Sequence, residues 1–595
     1  MKEFHTPALA TVDPSDNAVS ALFALAEKDP NRAALAYRDG DKFVDVPLGE
    51  FAAEVRQLAA GLISLGIEAG SKIALHCSTR PEFTYFDYAI WAAGCVTVPI
   101  YETSSEEQVE WIISNSEAVA VISETQEMKD TFDSVAASIP TCEHSIVIDH
   151  GGFDQLLEAG KAVDPAQVDA RWQAINHDGL ATLVYTSGTT GRPKGCMLSH
   201  HNFISTVRQV VALTPEIFAE GNSTLMFLPL AHIFARIVEV GCVSSGVKLG
   251  FSTGVPQLVE ELGMYHPTWV FSVPRVFEKV YNSAQHKAHA DGKGKIFDYA
   301  AKISEEFSRQ TQAGRVKPLT KVQHTIFDKL VYSKLRDVFG GKVNYAISGG
   351  AALGERLGHF FMGAGIHVLE GYGLTETTAV ATFNRPKATE IGSVGLPVPG
   401  GTVRIADDGE VLLKGDHIMM GYYKNDAATA ESINPDGWFH TGDIGELDAA
   451  GFLRITGRKK EILVTAAGKN VAPAVIEDRI RAHALISQAM VVGDGEKFIA
   501  CLITIDPDAF PEWAEEHGKS GSTVADLIDD PDLRAAVEEA IEDGNKAVSK
   551  AEAVKEFRIL PEDFTIDGGE MTPTLKLRRA IVMKKYAGMV EDIYR

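Results

Sequence analysis

Residues Tyr185–Gly195 read Tyr-Thr-Ser-Gly-Thr-Thr-Gly-Arg-Pro-Lys-Gly. Glycines let backbone N–H groups converge on an anion, the hydroxyls of Thr186, Ser187, Thr189 and Thr190 donate to it, and Lys194 adds a fixed charge. Gly188 and Gly191 complete the stretch, which suits a polyphosphate. It is not a Walker A loop, because Lys194 follows Pro193 and precedes Gly195. A surface turn is the bland alternative for any glycine-rich loop.

Three further clusters carry polar groups in unusual company. Gly371-Tyr372-Gly373-Leu374-Thr375-Glu376-Thr377 follows the apolar run Ile366–Leu369, at a strand end where α/β sites gather. It offers an aromatic face for a purine, a hydroxyl for a phosphate and a carboxylate oxygen for Mg²⁺; a turn with a solvated Glu376 is the alternative. Trp438–Ile444 places Asp443 in a glycine turn, and Gly457-Arg458-Lys459-Lys460-Glu461 follows. Asp443 and Arg458 suit ribose hydroxyls, although Asp443 also fits a plain turn former. Thr572–Arg579 brings Lys576 to the start of a last helix, where a cation opposes the dipole and so hints at another task.

These residues need elements to hold them. Phe51, Val55, Leu58, Leu62 and Leu65 mark one apolar helix face. Lys72–Cys77, a helix near Pro81–Ala93 and Val96–Ile100 compose a βαβ unit. Further strands are expected at Ala118–Ser123, Ser145–Asp149, Ala181–Thr186, Thr224–Pro229, Val247–Phe251, Trp269–Val273 and Tyr345–Ser348. The alternation predicts an α/β N-terminal domain with parallel-rich sheets flanked by helices. After Gly392 short strands and glycine turns predict a small β-rich subdomain. The final segment reads strand Ile462–Thr465, helix Val471–His483, strands Gln488–Val492 and Phe498–Asp506, helix Asp532–Val548 and helix Leu577–Tyr594. The expected division is 1–457 and 458–595, the second a small mobile α+β domain, with a hinge near 458–461.

Length and composition bound the rest. At 595 residues the chain should hold more than one domain. A net charge of −25 speaks against nucleic-acid backbone binding. The cysteines Cys77, Cys95, Cys142, Cys196, Cys242 and Cys501 lack CxxC spacing and read as thiols of a reducing, cytoplasmic compartment. No secretory leader or spanning run is expected. Arg275–Lys342 carries 14 Lys and Arg against 7 Asp and Glu. It reads either as a solvated face or as a patch for ligand phosphates or anionic headgroups at the inner face of a membrane. Asp506–Asp543, with 13 acids and 2 bases, reads as a solvated outer surface.

YTSGTTGRPKG, GYGLTET, WFHTGD, ITGRKKEI and PTLKL occur here in the order of the acyl-adenylate-forming superfamily, which the chain resembles. SGGAAL (Ser348–Leu353), GKNVAP (Gly468–Pro473) and the length look like its AMP-forming long-chain fatty-acyl-CoA synthetases. The resemblance implies an acid–thiol ligase using ATP, Mg²⁺ and coenzyme A. By its pattern Thr186–Gly195 would hold the β- and γ-phosphates, Gly350 and Tyr372 would flank adenine, Gly371 and Gly373 would belong to the same nucleotide-binding set, and Thr375 would touch the α-phosphate. Glu376 would bind Mg²⁺, Asp443 and Arg458 the ribose, and Lys576 would bridge the α-phosphate and the carboxylate. Lys460 matches the family hinge, Lys469 follows it with a phosphate role, and His232 resembles the residue lining the acyl tunnel. A packed core histidine is the alternative for His232, and His200–His201 read as structural.

No acid follows His232, which disfavours an α-amino acid substrate, and no carrier-attachment signature accompanies the chain. A fatty-acyl-AMP ligase delivering to a carrier protein is the competing enzyme. A catalytically silent nucleotide- or acyl-binding protein is the non-enzymatic alternative. Acyl length and oligomeric state stay open.

Overall fold

Apolar β-branched runs without alternation, as in Ile73–Leu75, Val96–Ile100 and Val121–Ile122, belong in strands covered on both faces. The computed structural model, which describes residues 1–186, 192–572 and 575–595, puts them at the centre of a seven-stranded sheet. Its order is Gly421–Tyr422, Lys194–Ser199, Leu180–Thr186, Val96–Ile100, Lys72–His76, Ala120–Ser123, His144–Val147. The five strands from Leu180–Thr186 onward run parallel. Lys194–Ser199 returns antiparallel along Leu180–Thr186, pairing Thr186 with Lys194. The sequence reading put Lys194 in a loop; it opens this strand instead.

Two more sheets complete the large domain's α/β part. One has the order Ser223–Met226, Lys248–Phe251, Ala33–Asp39, Lys42–Pro47, and the other runs through Trp269–Ser272, Tyr345–Ser348 and His367–Tyr372. Both are mixed, parallel with one antiparallel edge each. The hairpin 33–47 had no expected strand, because its second strand is half exposed and polar. Thr402–Ile405, Glu410–Lys414, Phe439–Leu447 and Leu453–Arg458 form an antiparallel sheet with Glu3–His5, while Gly421–Tyr422 joins the seven-stranded sheet. Asp443 was expected in a turn and instead lies within Phe439–Leu447. There Glu410 pairs with Ile444 and Leu412 with His440, so residues 441–443 bulge opposite Val411.

The C-terminal residues build a three-stranded sheet, Ile486–Val492, Ile499–Ile505 and Val554–Ile559, whose apolar clusters draw only on residues beyond 462. Val554–Ile559 was not expected, since charged side chains interrupt its apolar pattern. The expected last helix divides into Arg579–Lys585 and Ala587–Tyr594. Leu577 stays out of it by bridging to Met571, and the Arg578 N–H donates to the Glu570 carbonyl at 2.7 Å. Cys77, Cys95, Cys196, Cys242 and Cys501 are buried free thiols, with Cys142 half-buried. Among the described residues no helix is long and apolar enough to cross a membrane.

Candidate active site

A crevice of about 2160 Å³ opens where strand ends of the large domain face residues 575–581 of the small one. Each element delivers one kind of group to it. Strand His367–Tyr372 ends at Tyr372, whose hydroxyl donates to Asp443 Oδ2 at 2.5 Å. Arg458 is the cross-strand partner of Asp443, with Nε 3.1 Å from Oδ1. The bulge is pinned from both sides: Thr441 Oγ1 donates to the Val411 carbonyl at 2.7 Å, and the Gly442 N–H donates to Glu410 Oε1 at 2.9 Å. Burial pushes the Asp443 carboxyl up, while Arg458 and the Tyr372 hydroxyl pull it back. The Tyr372 phenol is driven well up by burial and by Asp443. The result is an aromatic wall beside a fixed acceptor.

The turn after Tyr372 requires glycine. A Cβ on Gly373 would lie 2.2 Å from the Ala379 carbonyl oxygen. The chain then enters a single helical turn, Thr375–Thr377, closed by the Leu374 N–H donating to Thr377 Oγ1 at 2.8 Å. The Glu376 carbonyl accepts from the Met419 N–H at 2.8 Å, and its Oε1 accepts from the Tyr422 hydroxyl at 2.7 Å. Lys194 Nζ stands 4.9 Å from the Tyr422 ring centre, a cation–π contact. Thr375, Glu376, Lys194 and Thr186 all line the crevice. Ser187, Gly188, Thr189, Thr190 and Gly191 lie outside the described residues, between the paired ends Thr186 and Lys194.

Lys576 arrives from the opposite side. Its N–H donates to Thr572 Oγ1 at 2.9 Å, and Leu575 beside it holds φ +58°, a costly conformation for a non-glycine residue. The Lys576 Cε lies 3.9 Å from where a Gly350 Cβ would stand. The ammonium pKa is lowered, first by the protein packed around it and then by Arg458; Asp443 and Glu376 act in the opposite direction. His232 also lines the crevice and caps the helix Ile233–Ser245, its Nδ1 accepting from the Phe234 N–H at 3.1 Å. Burial, then Lys576, lowers it to about 3, so it is neutral. The cap holds the ring at the crevice wall.

Beyond His232 the crevice becomes apolar, between Val207 and Val211 on helix His200–Leu213 and Ile237 and Gly241 on helix Ile233–Ser245. Phe218 closes it: a Cβ on Gly241 would approach Phe218 Cε1 to 3.0 Å. His200 is buried away from it, accepting from the Ala18 N–H at 3.3 Å.

Lys460 lies in the turn directly after Arg458, where the Glu461 and Ile462 N–H groups both donate to the Arg458 carbonyl, at 3.0 and 3.1 Å. It lines the crevice. Lys469 does not join the cluster. Its Nζ pairs with Glu552 at 3.3 Å within the small domain. Tyr422 was missed in the sequence, where only a preceding glycine and a following tyrosine mark it.

Residues 22–423 match the AMP-binding enzyme family and residues 460–595 the AMP-binding enzyme C-terminal domain. Over the full length of both chains, this one is 47% identical to the long-chain-fatty-acid–CoA ligase FadD15 of Mycobacterium bovis. It is 31% identical to human long-chain-fatty-acid–CoA ligase ACSBG1, covering 94% of this chain and 83% of that one. Among solved structures, the adenylation domain of a carboxylic acid reductase from Segniliparus rugosus, with AMP and a carboxylic acid, superposes with TM-score 0.75 at 22% identity, covering 98% of this chain and 95% of that one. The anthranilate CoA ligase AuaEII, with anthranoyl-AMP, gives 0.73 at 19%, covering 96% and 98%. These two share the fold of a large N-terminal and a small C-terminal domain. With the crevice built from both parts, the full-length match places the chain in its family: it belongs to the AMP-binding enzymes, among the AMP-forming acyl-CoA synthetases.

Proposed function

We propose that this protein joins a long-chain fatty acid to coenzyme A in two steps at one crevice. The carboxylate oxygen first attacks the α-phosphorus of ATP, the bond to the bridging oxygen breaks, and pyrophosphate leaves with acyl-AMP remaining. The coenzyme A thiolate then attacks the acyl carbon and AMP departs. The barrier in the first step is the meeting of two anions, so the chain's task is positioning and charge compensation rather than covalent catalysis. Tyr372 and Gly350 would flank adenine, Asp443 and Arg458 would hold ribose, and Thr375 would meet the α-phosphate. Thr186, Lys194 and the residues between them would hold the outer phosphates. Glu376, a carboxylate steadied by Tyr422 on the crevice wall, is a fitting hard-oxygen ligand for Mg²⁺, which would neutralise phosphate charge.

The observation that carries the reading is Lys576 at Gly350, facing the Asp443–Arg458 pair and Glu376 across the domain boundary. There it can bridge carboxylate and α-phosphate. Coenzyme A must later reach the same carbon, so we assign Lys460, within the turn 459–461, as the pivot between residues 1–457 and 458–595. The apolar channel past His232 would take the alkyl chain. Lys469 is left with no role in the arrangement seen here. The test is palmitate-dependent exchange of labelled pyrophosphate into ATP, followed by AMP release with and without coenzyme A. Exchange without coenzyme A-dependent release would instead favour the carrier-delivering ligase.

The fatty acid partitions into membranes, and one surface suits collection from them. Leu319, Val322, Ile326 and Leu330 are 69%, 59%, 52% and 52% exposed. Their spacing of three and four residues makes one stripe along helix Pro318–Phe327 and the π-turn after it. Lys317, Lys321 and Lys329 flank it. An apolar stripe edged by lysines complements an anionic lipid surface. Leu319→Asp with Ile326→Asp is expected to abolish flotation with phosphatidylglycerol vesicles. Equal flotation of wild type and variant would remove the membrane from this proposal.

A further inference from the structure

We infer that Arg275, Lys279 and His286 form a latch that seats the small domain with Lys576 in the crevice, which makes them positioning residues for the adenylation step. The inference rests on the two-arrangement reading above. The three residues lie on helix Pro274–Ala290, separated by four and seven positions, hence on one face. Opposite them, the acidic segment of the small domain presents Asp506, Asp508 and Glu512. Arg275 Nη2 reaches Asp506 Oδ2 at 3.1 Å and donates to Ser487 Oγ at 3.0 Å. Lys279 Nζ is 2.9 Å from Asp508 Oδ2, and His286 Nδ1 is 3.7 Å from Glu512 Oε2. The sequence assigned all three acids to a solvated surface; they face a partner instead.

The contacts are unequal. The Lys279–Asp508 side chains are 64% and 69% exposed, whereas Arg275 and Asp506 are only 24% and 15% exposed. Screening leaves little to the first pair, so the second carries most of the effect. Its node is extended: Ser487 Oγ in turn donates to Asp563 Oδ2 at 2.6 Å. A second anchor stands alongside, where Arg356 Nη2 donates to the Ala482 carbonyl at 2.9 Å, at the C-terminal end of helix Pro473–Arg481. A cation there satisfies an end carbonyl at the negative pole of the helix. The Arg356 guanidinium also lies 4.7 Å from the ring centre of Tyr281, a residue of the latch helix.

Position ties the latch to the reacting lysine. Val273, two residues before Arg275, packs 3.7 Å from the point a Gly350 Cβ would occupy, the point that Lys576 Cε approaches to 3.9 Å. Val273, Arg275, Gly350, Arg481 and Lys576 line one small cavity of about 30 Å³. Arg275 therefore fixes the small domain immediately behind its lysine. A swing of that domain must part these pairs, so the latch favours the first half-reaction over the second.

The test uses the full chain and both half-reactions: palmitate-dependent pyrophosphate exchange, and coenzyme A-dependent consumption of supplied palmitoyl-AMP. Arg275→Glu is expected to slow exchange about two- to fivefold, the range of a partly exposed ion pair, while palmitoyl-AMP consumption is unchanged or faster. Adding Asp506→Arg should restore exchange, which a merely structural residue would not allow. Arg275→Ala, a milder change, should show the same split. Equal slowing of both half-reactions, or no rescue by the charge swap, overturns the latch. Lys576→Ala separates this failure from that of its premise. If that variant loses both half-reactions equally, the two-arrangement reading falls; if it splits them and Arg275→Glu does not, only the latch falls.

Discussion

At the scale of single residues, Lys576 and Tyr422 make an instructive pair. Lys576 stands out in sequence as a lysine at an expected helix start; the helix instead begins three residues on, at Arg579, and the structure puts Lys576 against Gly350. Lys576→Ala is expected to lower pyrophosphate exchange by about 10² to 10³, the scale of one lost charge-stabilising group, while palmitoyl-AMP is still converted to thioester. Tyr422 offers no such signal, yet its hydroxyl holds Glu376 at 2.7 Å. Tyr422→Phe should leave the fold intact and raise the Mg²⁺ concentration for half-maximal exchange by about tenfold, since a hydrogen bond to a charged group contributes roughly 1.5–3 kcal/mol. Measuring exchange against Mg²⁺ concentration checks it. The contrast explains what was legible: the groups proposed to meet the ligand sit in dense local motifs, whereas the contacts that orient them arrive through tertiary structure. Asp443 shows the intermediate case, since its chemistry was readable but its place in a bulged strand depended on Val411, far off in sequence.

At the scale of elements, helix Ile233–Ser245 serves two environments. One face, with Ile237 and Gly241, borders the apolar channel. Gly241→Leu would drive a side chain into Phe218, and overpacking of roughly 1–3 kcal/mol should cut kcat/KM for palmitate by about fivefold or more while octanoate is retained. A panel from hexanoic to eicosanoic acid reads this directly. The other face is sealed. There Arg236 Nη2 pairs with Asp87 Oδ1 at 2.6 Å and Nη1 donates to Thr182 Oγ1 at 2.7 Å. Glu239 is buried next to them, and burial with the neighbouring Asp87 raises its carboxyl to about 8. An unfolded glutamate ionises near 4.5. The folded state thus keeps an extra proton between these values. That contribution is complete below the lower one and is lost as pH rises toward the upper, at up to about 1.4 kcal/mol per pH unit. Glu239→Gln should gain melting temperature over wild type progressively across that window and no further above it. Thermal melts over a pH series decide the matter. Strands buried on both faces, such as Tyr345–Ser348, matched their sequence limits, whereas Lys42–Pro47 and Val554–Ile559 hid because exposed edges tolerate charge.

At the scale of the whole molecule, charge is segregated rather than spread. A chain of net −25 has a local surplus of cations at 275–342, 14 Lys and Arg against 7 Asp and Glu, and uses them differently at the two ends. Arg275 and Lys279 meet the small domain's acids, while Lys317, Lys321 and Lys329 edge the apolar stripe. Raising salt from low ionic strength to about 0.5 M shrinks the screening length severalfold. It should therefore slow pyrophosphate exchange relative to palmitoyl-AMP consumption and release the protein from anionic vesicles. A ratio of the two rates that is flat with salt would contradict this. None of this division was visible in sequence, where both ends read as one basic run.

The turn at 459–461 hangs from the carbonyl of Arg458, the same residue whose guanidinium grips Asp443. With Lys460 as the proposed pivot, the swivel would begin beyond that pair, and Arg458, just past the 457/458 boundary, would stay with Asp443 on the large-domain side. A reactive mixed anhydride would remain clamped while the lysine withdraws, so little of it should leak into water between the two reactions.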